Sequence, residues 1–118
     1  MAQPVVHFEI GARDFGKAVS FYSALFDWKI DGQSMKDYGL VEAGPKGIGG
    51  GIFRASEQFP SHVTIYVQVD DLQKYCDQIP SLGGKVVVPP SPIPGVGAFA
   101  MFQDPEGNMI GLFRPGER

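Results

Sequence analysis

Over Pro4–Ile10 (PVVHFEI), Val6, Phe8 and Ile10 alternate with Val5, His7 and Glu9, the period of a half-buried strand with one mixed face. Asp14 is placed to cap a helix, and Ala18, Phe21, Tyr22 and Leu25 follow at i, i+3, i+4 and i+7. The spacing predicts an amphipathic helix over Phe15–Phe26. Three short strands are predicted next, at Trp28–Ile30, Tyr38–Glu42 and Ile48–Phe53, separated by turn signals at Asp31-Gly32 and Gly44-Pro45. Ala55–Ser61 is a polar connection. In His62–Val69, Val63, Ile65, Val67 and Val69 make an aliphatic face opposite His62, Thr64, Tyr66 and Gln68. Asp71 then precedes a second helical pattern (Leu72, Tyr75, Cys76, Ile79) stopped by Pro80 and Gly83-Gly84. Three further strands are predicted at Lys85–Val88, Val96–Gln103 and Asn108–Phe113. The last two are joined by the tight turn Asp104-Pro105-Glu106-Gly107. Pro89–Gly97 (PPSPIPGVG) reads as a stiff connection or lip, because prolines interrupt a strand's donors.

The order β-α-β-β-β therefore occurs twice. A shift of 57 lays IGARDF (10–15) on VQVDDL (67–72), and near the ends a shift of 60 lays GGIF (50–53) on IGLF (110–113). Identities are few, so the architecture carries the repeat. The expected fold is α+β: two tandem βαβββ modules, about 3–54 and 62–114, forming a pseudo-twofold cleft or half-barrel within one domain, 1–118.

With 118 residues and a formal charge of −3, the chain is long enough for one real core and has no basic patch for nucleic acid or an anionic membrane. No apolar run approaches the roughly 20 residues of a spanning helix. Cys76 is the one cysteine, which excludes an intrachain disulfide and a thiolate zinc site, and its place on the apolar stripe reads as inert core. The expected location is the cytoplasm. Gly47–Gly51 contains a GxGGG run without the Lys-Ser/Thr of a phosphate loop.

The mixed strand faces supply the candidate chemistry. His7, Glu9, Thr64, Tyr66 and Gln68, with Gly111 and Phe113 near the end, would line a cleft that orients a small molecule by stacking and hydrogen bonds. His7 and Glu9, two apart on a strand, could pair as imidazole and carboxylate, which is also how a structural histidine finds a partner. Gly51 and Gly111, at equivalent module ends, could leave room in the cleft.

Three segments resemble the glyoxalase / bleomycin-resistance / vicinal-oxygen-chelate superfamily: HFEIGARDFGKAVSFYSALFDW (7–28), VQVDDLQKYCDQIPSLGGKVVVPP (67–90) and FQDPEGNMIGLF (102–113). The resemblance implies the paired-module fold but no single activity, since the family includes isomerases, dioxygenases and binding proteins. For the metal enzymes it implies a histidine in each opening strand, seven residues before the helix-capping Asp, and a glutamate in each closing strand. His7 matches; the other three positions are Thr64, Gly51 and Gly111. A catalytic divalent ion usually takes three or more protein ligands. The expectation is therefore a metal-independent small-molecule-binding protein with no cofactor. The alternative is a metal-dependent lyase or isomerase of glyoxalase type, using a shifted or intersubunit ligand set; His7, Glu9 and His62 are its secondary metal candidates. A homodimer is expected, from the aromatic content (Phe53, Phe59, Phe99, Phe102, Phe113) and the short joint between modules.

Overall fold

The computed structural model describes residues 2–42 and 44–116. Its elements are β1 (Val5–Ala12), α1 (Phe15–Phe26), β2 (Ile30–Met35), β3 (Tyr38–Val41), β4 (Gly49–Arg54), β5 (Val63–Gln68), α2 (Leu72–Gln78), β6 (Lys85–Ile93), β7 (Gly97–Gln103) and β8 (Met109–Pro115). A single 3₁₀ turn at Pro80–Leu82 follows α2. This is βαβββ twice, the α+β class that the sequence pattern implies. Two compact units result: one is His7–Thr64, and the other runs from Ile65 onward and takes in the residues before His7.

In the first unit the strand order is β2-β3-β4-β1. Strand β1 runs parallel to β4, with Phe8 beside Gly50, Glu9 beside Gly51 and Ile10 beside Ile52. Strand β3 is antiparallel to β4, with Tyr38 beside Phe53, Gly39 beside Ile52 and Leu40 beside Gly51. Alternation then puts Phe8, Ile10, Gly39, Val41 and Ile52 on one face and His7, Glu9, Tyr38, Leu40 and Gly51 on the other. Helix α1 covers the first face: a side chain at Gly39 would meet Phe15 and Val19, each at 3.6 Å. Asp14 caps the helix by accepting the Lys17 N–H at 3.1 Å. Asp27, at φ 58°, ends it in the left-handed region.

The helix presents a different face from the one its spacing suggests. Phe15, Ala18, Val19 and Tyr22 turn inward, while Phe21 is 58% and Leu25 59% exposed. The aromatic neighbours decide this. Tyr22 stacks on Trp28 at 5.4 Å, and Trp28 lies 5.4 Å from Phe8 on the sheet. That ladder holds the Tyr22 side of the helix against β1, leaving Phe21 and Leu25 outside.

In the second unit the order is β5-β8-β7-β6. Its core gathers Val69, Leu72, Cys76, Ala98, Ala100 and Leu112, so Cys76 is buried as expected. Asp71 caps α2 through the Lys74 N–H at 3.1 Å. Burial raises the Cys76 thiol pKa above its ordinary value, as the nearby Asp77 also does, which keeps the sulfur protonated. The turn before β8 is tied by Asp104, which accepts the backbone N–H of Glu106 at 2.9 Å and of Asn108 at 2.8 Å. Gly107, at φ 92°, closes it.

Three expectations are corrected. Strand β2 runs through Asp31-Gly32 to Met35, and the turn falls at Lys36-Asp37. The Asp31 carboxylate accepts the Gln33 N–H at 2.9 Å and the Ser34 N–H at 3.2 Å, forming an irregularity inside the hairpin. Strand β6 continues through Pro89, Pro90 and Pro92. It is the last strand of its unit's order, bonds only to β7, and shifts register twice, so the prolines remove no donors that a second neighbour would need. On β5, Val63 is 71% and Ile65 37% exposed, so of the aliphatic face only Val67 and Val69 reach the core.

Candidate functional site

The sheet face of the first unit away from α1 brings His7, Glu9, Tyr38 and Gly51 together. Tyr38 is the first residue after the Lys36-Asp37 turn. That turn is pinned to β4 by Arg54, whose Nε donates to the Asp37 carboxylate at 2.8 Å and whose N–H donates to the Asp37 carbonyl at 3.0 Å. From there the Tyr38 ring leans diagonally over Gly51, the neighbour of Glu9. A Cβ built on Gly51 falls on the Tyr38 hydroxyl and ring. The hydroxyl donates to Glu9 Oε2 at 3.0 Å and lies 2.9 Å from His7 Nε2.

This geometry assigns protons. An ionised carboxylate only accepts, and a phenol has one proton, which goes to Glu9. His7 Nε2 must then donate to the phenol oxygen. Burial lowers the His7 pKa below its ordinary 6.5, favouring the neutral ring. Since the folded state binds this proton less readily than the unfolded chain, the His7 contribution to stability is fully present above pH 6.5 and is lost as pH falls through the lowered value. Unfolding measured across this range should lose stability toward acid, by at most about 1.4 kcal/mol per pH unit for this one group. In His7→Asn the slope should flatten. Equal slopes for the two proteins would contradict the assignment.

His7 also borders a groove of about 400 Å³ within the same unit, shared with Lys29, Asp31, Glu42 and Gly49. The groove is the size of a small-molecule site. The hydrogen-bonded chain Glu9–Tyr38–His7 thus begins part-buried on the sheet and ends at an open surface.

His62 is not part of this cluster. Its Nδ1 lies 2.6 Å from the Pro60 carbonyl, its ring edge meets Phe53 at 5.4 Å, and its buried Nε2 has no hydrogen-bond partner among the described residues. Thr64, in the same unit, is buried at 3% exposure. In the second unit Tyr66 lies beside Gly111 and Gln68 beside Phe113, in parallel register. Tyr66 is buried, and its ring covers Gly111 so closely that a Cβ there would overlap it. Its hydroxyl faces the Met101 sulfur at 3.9 Å.

Two readings change. The closing-strand glycines do not leave open space; a tyrosine ring fills the space over each. Tyr38, absent from the sequence-derived set, is the centre of the first unit's cluster. Only the register of the β2–β3 hairpin reveals it, and the Asp31-Gly32 turn signal points to the wrong register. Against the ligand set implied by the resemblance, the donors do not fit a divalent metal. Thr64 offers a neutral hydroxyl, Gly51 and Gly111 offer no side chain, and the described residues contain no group of three His, Cys, Asp or Glu side chains able to hold an ion. The shifted set of His7, Glu9 and His62 is not assembled as a metal centre.

Comparison with known proteins adds the following. The family model described as Glyoxalase/Bleomycin resistance protein/Dioxygenase superfamily matches residues 5–112. The putative glyoxylase CFP32 of Mycobacterium tuberculosis (strain CDC 1551 / Oshkosh) is 29% identical, over 83% of this chain and 39% of its own length. The anthracycline biosynthesis protein DnrV of Streptomyces peucetius is 26% identical, over 92% of this chain and 46% of its own. The chain therefore spans less than half the length of these curated relatives. Among solved structures, methylmalonyl-CoA epimerase from Mycobacterium tuberculosis superposes with a TM-score of 0.72 at 15% identity, covering 96% of this chain and 88% of that one, a likeness of fold. No helix among the described residues is long and apolar enough to cross a membrane.

Proposed function

The chain belongs to the glyoxalase/bleomycin resistance protein/dioxygenase superfamily, and from that premise we propose that it binds a small organic molecule without a catalytic metal. The observation that carries this reading is the Tyr38 hydroxyl between His7 Nε2 and Glu9 Oε2. In the metal enzymes of such a family, a histidine at the His7 position would point its nitrogen at an ion; here it points at a phenol. What remains in the first unit is a surface suited to recognition: one carboxylate, one neutral imidazole, one phenol and the groove beside His7. Within the first unit the ligand-contacting residues in this reading are His7, Glu9 and Tyr38, with Thr64 on the same unit's last strand; within the second, Tyr66, Gln68, Gly111 and Phe113 are the candidates.

The names of the relatives, a glyoxylase and an anthracycline biosynthesis protein, suggest two probe classes. These are thiol adducts of small oxoaldehydes and planar hydroxyquinones. Melting shifts with both panels, on protein analysed for metal content, test the proposal. Ligand-induced stabilisation in metal-free protein supports it. One equivalent of tightly held zinc, iron or manganese, lost in His7→Ala, would contradict it.

A homodimer belongs to the same reading. The phenylalanines counted toward it, Phe53, Phe59, Phe99, Phe102 and Phe113, are half-buried, while Phe21, Leu25 and Phe26 of α1 are each more than half exposed. That helix face is the surface offered to a second copy. Light scattering at a mass of one chain across a wide dilution range would remove the dimer.

A further inference from the structure

The metal enzymes of the family imply a divalent ion that this donor set does not fit, and the first unit gives the misfit a physical cause. Three observations converge on Tyr38. Its hydroxyl engages the two donor side chains that β1 offers, Nε2 of His7 at 2.9 Å and Oε2 of Glu9 at 3.0 Å. Its ring and hydroxyl fill the space that any side chain at Gly51 would need. Its position is braced by the two hydrogen bonds between Arg54 and Asp37, one residue away.

We infer that Tyr38 is a specificity-determining plug: it excludes divalent cations from the β1 donors by taking the place of the ion. Besides lacking glutamate at 51, the site presents a phenol that bridges the histidine and the carboxylate as an ion would, without charge. The consequence is a hydrogen-bonding centre built around an uncharged phenol where a Lewis acid would sit, which favours ligands recognised by hydrogen bonds over ligands that chelate. Gly51 is then the receptor for the phenol. A glutamate at 51 is useless while Tyr38 stays, because ring and carboxylate compete for one volume. This inference rests on the metal-independent reading.

The test is zinc titration by calorimetry on five folded proteins: wild type, Gly51→Glu, Tyr38→Phe, Tyr38→Ala, and Tyr38→Ala combined with Gly51→Glu. The combined variant frees His7 and Glu9 and adds a third donor on the strand beside Glu9. It should bind zinc at least about tenfold more tightly than wild type, a difference of about 1.4 kcal/mol. Gly51→Glu alone should show no such gain, since the plug remains. Equal zinc affinity in Gly51→Glu and in the combined variant would overturn the plug, and so would a combined variant that folds by circular dichroism and binds no better than wild type. If the combined variant does not fold, Tyr38→Ala against Tyr38→Phe decides. Alanine opens the space and must bind zinc more tightly than phenylalanine, which keeps it filled; equality overturns the inference. A wild type that already holds one zinc through His7 would instead overturn the metal-independent reading itself, which separates the two failures.

Discussion

Replacing Gly111 by glutamate is expected to destabilise the protein by about 3 kcal/mol or more, because it combines overpacking with a buried carboxylate. From the sequence alone, this substitution restores a family ligand beside an empty cleft. In the fold, the first side-chain carbon would land on the ring of Tyr66, which is itself only 8% exposed and flanked by β7 through Met101. The ring has nowhere to swing without moving buried neighbours. The longer side chain would also carry a charge into a buried site, at a desolvation cost. Gly111→Ala isolates the steric part and should cost about 1–3 kcal/mol. Adding Tyr66→Ala to Gly111→Glu should recover part of the loss. Urea unfolding of the three variants provides the check. A Gly111→Glu protein as stable as wild type would mean that Tyr66 does not lie over Gly111.

The second large effect lies at Ile52, whose side chain is fully buried, at 0% exposure, on the α1-facing side of the sheet. It sits between Ile10 on β1 and Gly39 on β3. Ile52→Ala should cost about 2–5 kcal/mol, the transfer loss plus an unfilled cavity. Val63→Ala is the contrast. Its pattern places it on a core face as convincingly as Val69, yet it is 71% exposed and should change stability by no more than about 0.5 kcal/mol. A large loss at Val63, or a negligible one at Ile52, would show that the two units bury different faces from those described.

That contrast shows how much was legible beforehand. Alternation reports which residues share a face, and it did so correctly on β1 and β5. It does not report how far a helix reaches over that face. Val63 and Ile65 stay exposed although they share the pattern of Val67 and Val69, and α1 is rotated by the Tyr22–Trp28–Phe8 contacts, which depend on pairing across the unit. The double βαβββ order was legible because turn and cap residues mark it locally, at Asp14, Asp71 and Asp104. The candidate site was half legible. His7 and Glu9 declared themselves by parity, but Tyr38 reaches them across two strands from a hairpin whose true turn, Lys36-Asp37, carries no glycine or proline signal. A glycine in a strand was read as space, whereas at both Gly51 and Gly111 it marks where a ring is already packed. The prolines of β6 misled for a related reason: their effect depends on whether the strand has a neighbour on both sides, which only the topology reveals.

Under the proposed function, a phenol rather than an ion organises ligand recognition. The most direct measurement is the affinity of the best compound from the probe panel, determined by calorimetry with and without excess chelator, for wild type and Tyr38→Phe. Equal affinity is expected with and without chelator, and a loss of about tenfold, about 1.4 kcal/mol, when the hydroxyl alone is removed. Binding that disappears with chelator and is indifferent to Tyr38→Phe would contradict it.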